Sequence, residues 1–356
     1  MSSPPISLLP PELLYVVFEL AVEGLPASLR IRSAILRSFA LVASNWREPA
    51  QALLEARVQI DSYQRARAFL DRPRRLDRPL VLHELVLYYD FAPQEDDLFP
   101  LTELMTKAVC EAAQSVQFLH LRSALLMDAF DANLLLLPAF RDLRHLKLDI
   151  PLEAPANATS IPLRLRKLSL SGMISQSPAL FRAILPSSAH TLTSLHLFVV
   201  LSGSPLHERL LDALPSLTST LRHFSIAGPW IALPASLLRF IASCTSLEAL
   251  ALSGVDLSQL RYLVPTLSSA LSSLDFTVPS SPPSVDSDIP NIFDELLSAR
   301  SLQRLRFLRA TRRVENGGAS GARTAWTRPR EQPCACFYEV TTRASSPEAP
   351  DRLAPR

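Results

Sequence analysis

Glycine is scarce in this sequence, and its scarcity excludes several kinds of catalytic site. Only eight glycines occur in 356 residues, and no glycine-rich loop of the kind that holds nucleotide phosphates is present. The G-x-S-x-G motif of serine hydrolases and the H-E-x-x-H motif of zinc proteases are also missing. We therefore expect no catalytic residue and no cofactor, and we interpret the chain as a binding protein rather than an enzyme.

Cysteine is equally rare, with four residues in the whole chain. Cys110 and Cys244 are isolated in the sequence, which indicates buried thiols rather than a disulfide framework. Cys334 and Cys336 form a pair, but no second pair and no nearby histidine completes a metal site. These observations predict no bound metal and an intracellular protein, in the cytoplasm, the nucleus or both.

A strong net charge and long apolar runs are absent too. The formal net charge is +2, which gives no general attraction to nucleic acid. No apolar run is long enough to span a bilayer. The stretch from Leu13 to Leu20 contains Glu19 and has no basic leader, so we expect no secretory signal. Neither nucleic acid nor a membrane is predicted as a partner.

The sequence does contain a repeated pattern, apolar-x-x-apolar-x-apolar. Leu143, Leu146 and Leu148 form one copy, and nine copies start at residues 82, 116, 143, 165, 192, 221, 247, 271 and 302. The last two apolar positions alternate with the period of a strand that has one buried face. Roughly 20 residues separate the copies, which leaves room for a turn and a short helix. Stacking such units would bury the faces that single units expose.

Residues 82–310 resemble the leucine-rich repeat family through these nine copies. The resemblance implies an α/β fold, namely a solenoid with a curved parallel sheet and helices on its outer side. The chain departs from the family because the asparagine or cysteine usual three residues after the last strand leucine is missing. Pro151, Met173 and Val255 stand at that position in three copies. We therefore expect repeats of irregular length, without a ladder of amide side chains along the turns.

The N-terminal region carries a second set of motifs. A leucine-proline pair precedes a stretch with apolar residues at helical spacing, and two more helix-like stretches run through 35–47 and 49–57. The region contains the motifs L-P-x-E-L-x-x-x-[IV]-F-x-L and L-V-x-x-x-W-R, at Leu9, Pro10, Glu12, Leu13, Val17, Phe18, Leu20, Leu41, Val42, Trp46 and Arg47. Through these motifs it resembles the F-box family, which implies a bundle of three helices that binds the Skp-type adaptor of SCF ubiquitin ligases and, through it, cullin.

The resemblance implies adaptor-binding residues within this bundle. Packing inside the bundle is the alternative for each position, and we favour it for Val16 and Phe39. A leucine-proline pair before a helix and a tryptophan at a helix end fit a small core poorly, so Leu9, Pro10 and Trp46 are expected to be interface anchors. The predicted adaptor-binding residues are Leu9, Pro10, Leu13, Val17, Leu20, Leu41, Val42 and Trp46.

The open face of the repeat sheet is the predicted target-binding surface. In leucine-rich repeats alternate strand side chains point outward from this face, and here many of them are basic or histidine. In the copies that start from 116 to 221, only Asp149 opposes them, so we expect an acidic or phosphorylated target segment. The alternative is that these side chains are merely solvated. The predicted target-binding residues are Phe118, His120, Arg122, His145, Lys147, Lys167, His196, Phe198 and His223.

These assignments predict how the chain is organised and what it does. The combination is typical of the substrate-recognition subunit of an SCF-type E3 ubiquitin ligase, which performs no chemistry itself. The alternative is an F-box and leucine-rich repeat scaffold that acts outside the ubiquitin ligase. The predicted segments are a disordered N-terminus (1–7), an F-box (8–60), a connector (61–80), a solenoid (81–310) and a disordered tail (311–356), the last rich in Arg, Pro, Ser and Gly.

Overall fold

The chain forms two compact units, Met1–Ser188 and Ala189–Arg356. Both units consist of mainly parallel strands joined by helical segments, so the prediction of an α/β fold with parallel strands is confirmed. The structure, a computed structural model, describes residues 9–23, 29–71, 82–88, 103–122, 130–149, 152–153, 160–172, 178–199, 214–227, 233–253, 255, 257–278, 307–314, 323–327 and 335–342.

Three helices open the first unit and pack around one small apolar core. They are α1 (Pro11–Glu23), α2 (Leu29–Val42) and α3 (Ser44–Glu55). Proline at the first position of α1 loses no hydrogen bond, because the first N–H groups of a helix have no partner within it. Leu9 and Phe39 pack against the edge of the core. The core residues are Leu14, Phe18, Val22, Leu36, Trp46, Ala50 and Leu53.

A parallel sheet and its connecting helices make up the rest of the first unit where the structure describes it. Its elements are β1 (Arg57–Ile60), α4 (Tyr63–Leu70), β2 (Glu84–Tyr88), α5 (Glu103–Ala112), β3 (Phe118–Arg122), β4 (Phe130–Asp131), β5 (His145–Asp149), β6 (Leu152–Glu153), β7 (Lys167–Gly172) and α6 (Pro178–Ser188). Five strands lie in the order β1-β2-β3-β5-β7, while β4 and β6 form a separate pair. Short 3-10 helices, Ala132–Leu136 and Pro138–Phe140, join β4 to β5.

The predicted repeat register holds in this sheet. The second leucine of each copy pairs with the second leucine of the next: Leu85 with Leu119, Leu119 with Leu146, and Leu146 with Leu168. All four are buried. The copies therefore send the same strand face into the core, as strand periodicity requires.

The second unit continues the pattern with its own strands. They and their helices are β8 (Ser194–Val199), β9 (His223–Ala227), α7 (Ala235–Ser243), β10 (Ala249–Ser253), α8 (Leu257–Leu263), β11 (Ser273–Val278), β12 (Phe307–Val314), β13 (Arg323–Thr327) and β14 (Ala335–Thr342). The order is β8-β9-β10-β11-β12-β14-β13, and only β13 runs antiparallel to its neighbour among these strands. Two 3-10 helices, Leu214–Leu217 and Val264–Thr266, complete its connections.

Hydroxyl side chains link successive turns of the second unit. Each donates a hydrogen bond to a backbone carbonyl 23 to 31 residues earlier in the chain, which is about one repeat. These bonds provide hydrogen-bond donors for the backbone carbonyls of Ala189, Ser219 and Thr245. The pairs are Thr220 with Ala189 (2.9 Å), Ser246 with Ser219 (3.1 Å) and Ser268 with Thr245 (2.7 Å).

The sheet of the first unit begins one strand earlier than the sequence predicted. β1 lies inside the segment 8–60 that was assigned to the bundle, yet Val58 pairs with Leu85 and Ile60 with Leu87. Because Val58 pairs with Leu85, Glu55 corresponds to Leu82, the first leucine of the next copy. A glutamate at this position leaves the apolar pattern incomplete, so the sequence did not predict β1. The predicted connector, 61–80, contributes α4 where the structure describes it.

The C-terminal assignments need correction in two places. The ninth copy was predicted from Leu302, but β12 pairs Leu308, rather than Leu305, with Leu274. The tail 311–356 was predicted to be disordered, yet it contains the end of β12 and all of β13 and β14. The β-branched and aromatic residues of β14 favour a strand. The prediction of disorder rested on the composition of the whole tail and did not take this short stretch into account. The predicted disorder of residues 1–7 lies outside the described residues.

Candidate functional site

Helix α1 is apolar on two faces, and the second face is exposed. Leu14, Phe18 and Val22 enter the bundle core. Leu13, Val16, Val17 and Leu20 follow helical spacing on another face, and their side chains are 38–64% exposed. We call these four residues the α1 stripe. A soluble helix normally buries one apolar face, so the α1 stripe is a candidate surface for a partner.

The end of α2 adds two more exposed apolar side chains. Leu41 is 83% and Val42 is 63% exposed. Both were predicted to bind an adaptor, as were Leu13, Val17 and Leu20 of the α1 stripe. The structure leaves these five side chains accessible on the bundle.

Two predictions about individual bundle residues were wrong. Trp46 was expected to be an interface anchor, but it is only 8% exposed. Its ring centroid lies 5.0 Å from that of Phe18 and 6.1 Å from that of Phe39, so it is a core residue of the bundle. Val16 was expected in the core and instead belongs to the exposed α1 stripe. Phe39 packs against the core as expected.

The leucine-proline pair before α1 is divided between core and surface. Leu9 packs against the bundle core, whereas Pro10 is exposed. The carbonyl of Pro10 accepts hydrogen bonds from the N–H groups of Leu13 and Leu14, each at 3.0 Å. These bonds fix the start of α1, so the pair has a structural role in addition to any contact with a partner.

A buried ionic cluster joins the bundle to the sheet. Arg32 of α2 donates two hydrogen bonds to the Glu84 carboxylate of β2, at 3.1 and 3.0 Å. Arg57 of β1 lies 3.7 Å from the same carboxylate and 4.0 Å from that of Glu19 on α1. The side chains of Glu84 and Arg57 are 8% and 5% exposed. We call these four residues the junction cluster; sequence reasoning missed it because its members lie far apart in the chain.

The junction cluster changes which strand positions are open. Glu84 and Val86 alternate with core leucines, so the repeat pattern predicted that they point outward. Both are buried, and Glu84 contacts α2 through Arg32. The bundle therefore covers this face at the first strands, and the open face of the first unit begins at β3.

Asp149 is the centre of a polar cluster on this open face. His120 Nε2 donates to its carboxylate at 2.7 Å, Ser171 also donates to it, and Lys147 Nζ lies 3.7 Å away. Burial alone would raise the pKa of the Asp149 carboxyl, but the bonds from His120 and Ser171, with Lys147 nearby, lower it to about 2. His120 and Lys147 thus have an internal partner rather than standing unopposed.

The remaining predicted residues of β3 and β5 form ring contacts. The Arg122 guanidinium lies 5.5 Å from the centroid of the Tyr88 ring, a cation–π distance. Phe118 and His145 meet edge to face, with ring centroids 6.1 Å apart. Tyr88 was not among the predicted target-binding residues, although it occupies an alternating strand position.

His145 does not supply charge near neutral pH. Burial, with a smaller effect from the nearby cations Lys167, Arg166 and Arg144, lowers the pKa of its imidazole to about 4. A histidine with the ordinary pKa of about 6.5 gains charge as pH falls towards that value, whereas His145 stays neutral there. The permanent positive charges of the face are those of Arg122, Lys147 and Lys167.

The second unit has its own open face, which contains the last predicted residues. His196, Phe198 and His223 are exposed on β8 and β9. Beside them the small side chains of Ala249 and Ala251 leave a shallow depression of about 240 Å³. Its lining residues are Ser194, Leu195, His196, His223, Phe224, Ser225, Ala249, Leu250, Ala251, Ser273 and Asp275. This volume lies below the roughly 300–1,000 Å³ of typical small-molecule sites, which favours a side chain as occupant.

No protein-family model matches the chain, and no curated protein is significantly similar to it. Among the helices that the structure describes, none combines the length and apolarity needed to cross a bilayer.

Proposed function

We propose that this chain is the substrate-recognition subunit of an SCF-type ubiquitin ligase and performs no catalysis itself. The N-terminal bundle is an F-box that docks on a Skp-type adaptor and, through it, on cullin. The parallel strands form a leucine-rich repeat solenoid whose open face binds the target protein. The complex would act in the cytoplasm, the nucleus or both.

The α1 stripe is the observation that carries this proposal. Exposed apolar residues at i, i+3, i+4 and i+7 are typical of a helix that lies in the groove of a partner. Burying a large apolar side chain at an interface contributes about 1.5–3 kcal/mol when it starts fully exposed. Leu13, Val17 and Leu20 begin about half exposed, so together they could contribute enough for stable docking.

The junction cluster supports the second half of the proposal. A recognition subunit works by holding its target close to the ubiquitin-carrying enzyme, which raises the effective concentration of the reacting groups. That gain depends on a fixed geometry between the adaptor-binding and target-binding parts. Two bonds from Arg32 to Glu84, together with Arg57, attach the bundle directly to the first strands of the sheet.

The cations of the first unit's open face support an acidic target. Arg122, Lys147 and Lys167 carry permanent charge there, and Asp149 is the carboxylate that opposes them among the predicted positions. Charge-assisted hydrogen bonds to carboxylate or phosphate are about twice as strong as neutral ones. We propose that the target presents an acidic or phosphorylated segment to this face.

Adaptor docking is tested by measuring the affinity of the full chain for a purified Skp-type adaptor. Replacing Leu13, Val17 and Leu20 together by alanine should weaken binding at least about tenfold. Tyr262→Ala, which removes an equally exposed side chain from α8, is the control and should bind normally. Failure of the unaltered chain to bind the adaptor would refute the proposal. Adaptor binding without co-purified cullin would favour the scaffold acting outside the ligase.

Target selection is tested separately by co-purification with and without proteasome inhibition. Replacing Arg122, Lys147 and Lys167 by glutamate should remove the proteins that accumulate when the proteasome is inhibited. The adaptor should remain bound, because the α1 stripe is unchanged. An unaltered set of accumulating proteins would show that these charges do not select the target.

A further inference from the structure

A cleft on the bundle lies away from the α1 stripe. It has a volume of about 360 Å³ and is lined by six residues, three from α1 and three from α3. Both helices contribute the same spacing, two adjacent residues and a third one turn later. The lining residues are Pro11, Glu12 and Tyr15 of α1 and Glu48, Pro49 and Ala52 of α3.

The cleft combines apolar walls with two carboxylates. Two proline rings, the Tyr15 ring and the Ala52 methyl group supply apolar surface, while Glu12 and Glu48 are exposed. None of the six lining residues is basic. The site is therefore complementary to a group with a positive charge on an apolar stem.

Helix stabilisation accounts for the position of one of the two glutamates but not of the other. A carboxylate in the first turn stabilises a helix by opposing its dipole, which accounts for Glu12. Glu48 is the fifth residue of α3, beyond the turn where that effect is strong. The positive end of α1 would by itself favour an anion, but it amounts to about half a charge and two carboxylates outweigh it.

The walls of the cleft are held in place. The Pro10 carbonyl accepts the N–H groups of Leu13 and Leu14 at the start of α1, each at 3.0 Å. The backbone N–H of Trp46 donates to the Ala43 carbonyl at the start of α3, at 3.1 Å. A rigid, preformed site loses little entropy when it takes up a side chain.

We propose that this cleft binds an arginine side chain presented by a partner protein, a role beyond the proposed adaptor docking. Arginine fits better than lysine because its planar guanidinium stacks on rings and donates several hydrogen bonds at once. Residues 11, 12 and 15 lie on a different face of α1 from residues 13, 16, 17 and 20. One partner surface could therefore engage the α1 stripe while a second segment places its arginine in the cleft.

The experiment uses the full chain and a fluorescently labelled pentapeptide with a central arginine between glycines. A matched peptide carries citrulline, which has nearly the same shape but no charge. Arginine peptide should bind at least about fivefold more tightly than citrulline peptide, and binding should weaken with salt. Equal binding of the two peptides, or no binding of the arginine peptide, would overturn the proposal.

Variants of the chain locate the site. The double variant Glu12→Gln and Glu48→Gln should weaken arginine-peptide binding about tenfold, since it removes two charged contacts at exposed positions. Ala52→Leu, which fills the cleft, should also weaken binding. Glu55→Gln changes an exposed glutamate of α3 outside the cleft and should have no effect. Retained affinity in both cleft variants would place the peptide elsewhere.

The outcome is separable from that of adaptor docking. Alanine substitutions in the α1 stripe should leave arginine-peptide binding unchanged, and the two glutamine substitutions should leave the stripe intact. Thermal unfolding of each variant checks that the bundle is folded. If the chain binds the arginine peptide but no adaptor, the proposal for the cleft is supported and the proposed function is refuted.

Discussion

Replacing Glu84 by glutamine should destabilise the first unit strongly. The substitution keeps the size of the side chain and removes the charge that Arg32 and Arg57 share. Breaking a buried ion pair by neutralising one partner costs about 3–5 kcal/mol, because the remaining charge has no compensation. The Arg32 side chain is 21% exposed and can partly hydrate, so we expect a value near the lower end, about 3 kcal/mol.

The measurement is chemical and thermal unfolding of the full chain. For a unit of this size, about 3 kcal/mol corresponds to a fall in Tm of about 6–12 °C. The control is Glu248→Gln, which breaks the ion pair with Arg222, where the two side chains are 58% and 41% exposed. An exposed pair contributes about 0–1 kcal/mol, so the control should hardly change the Tm. Equal effects of the two substitutions would refute the buried junction cluster.

Three further predictions concern the core and the open face. Leu168→Ala and Leu250→Ala, one in each unit, should each cost about 2–5 kcal/mol in urea denaturation, and a loss below about 1 kcal/mol would contradict their burial. Trp46→Ala should lower bundle stability by about 3–5 kcal/mol; weaker adaptor binding with unchanged stability would restore it as an interface anchor. His145 has a folded pKa of about 4, below its ordinary value near 6.5, so the unfolded chain binds the proton more readily and stability should fall as pH drops from about 6.5 towards 4. His145→Gln should reduce this pH dependence of the Tm, and an unchanged profile would assign it to other groups.

The parallel strands could be predicted because their signal is local. Each copy has three apolar residues within six positions, and the period of a strand determines which of them share a face. The same rule failed at the ninth copy. Leu305 and Leu308 are three residues apart, and the sequence allows either of them to be the second apolar residue of that copy. Pairing with β11 selected Leu308.

The bundle shows why burial of individual residues could not be predicted. α1 has apolar residues on both faces, and its sequence alone does not decide whether Val16 or Phe18 points inward. The placement of α2 and α3 decides it, through the packing of Phe18 against Phe39 and Trp46. The junction cluster was hidden for a related reason, since Arg32 and Glu84 are 52 residues apart.

The hydrogen bonds that hydroxyl side chains form between turns have a consequence for the evolution of this sequence. Thr220 and Ser246 stand directly before the first leucine of their copies, so each bond belongs to the short, constant part of its repeat. Copies start 22 to 34 residues apart, and this variation falls in the segments between strands. Insertions and deletions there need not disturb the bonds that align one turn with the next. The segments between strands can therefore change in length and in the partners they contact during evolution, while the strands keep their register.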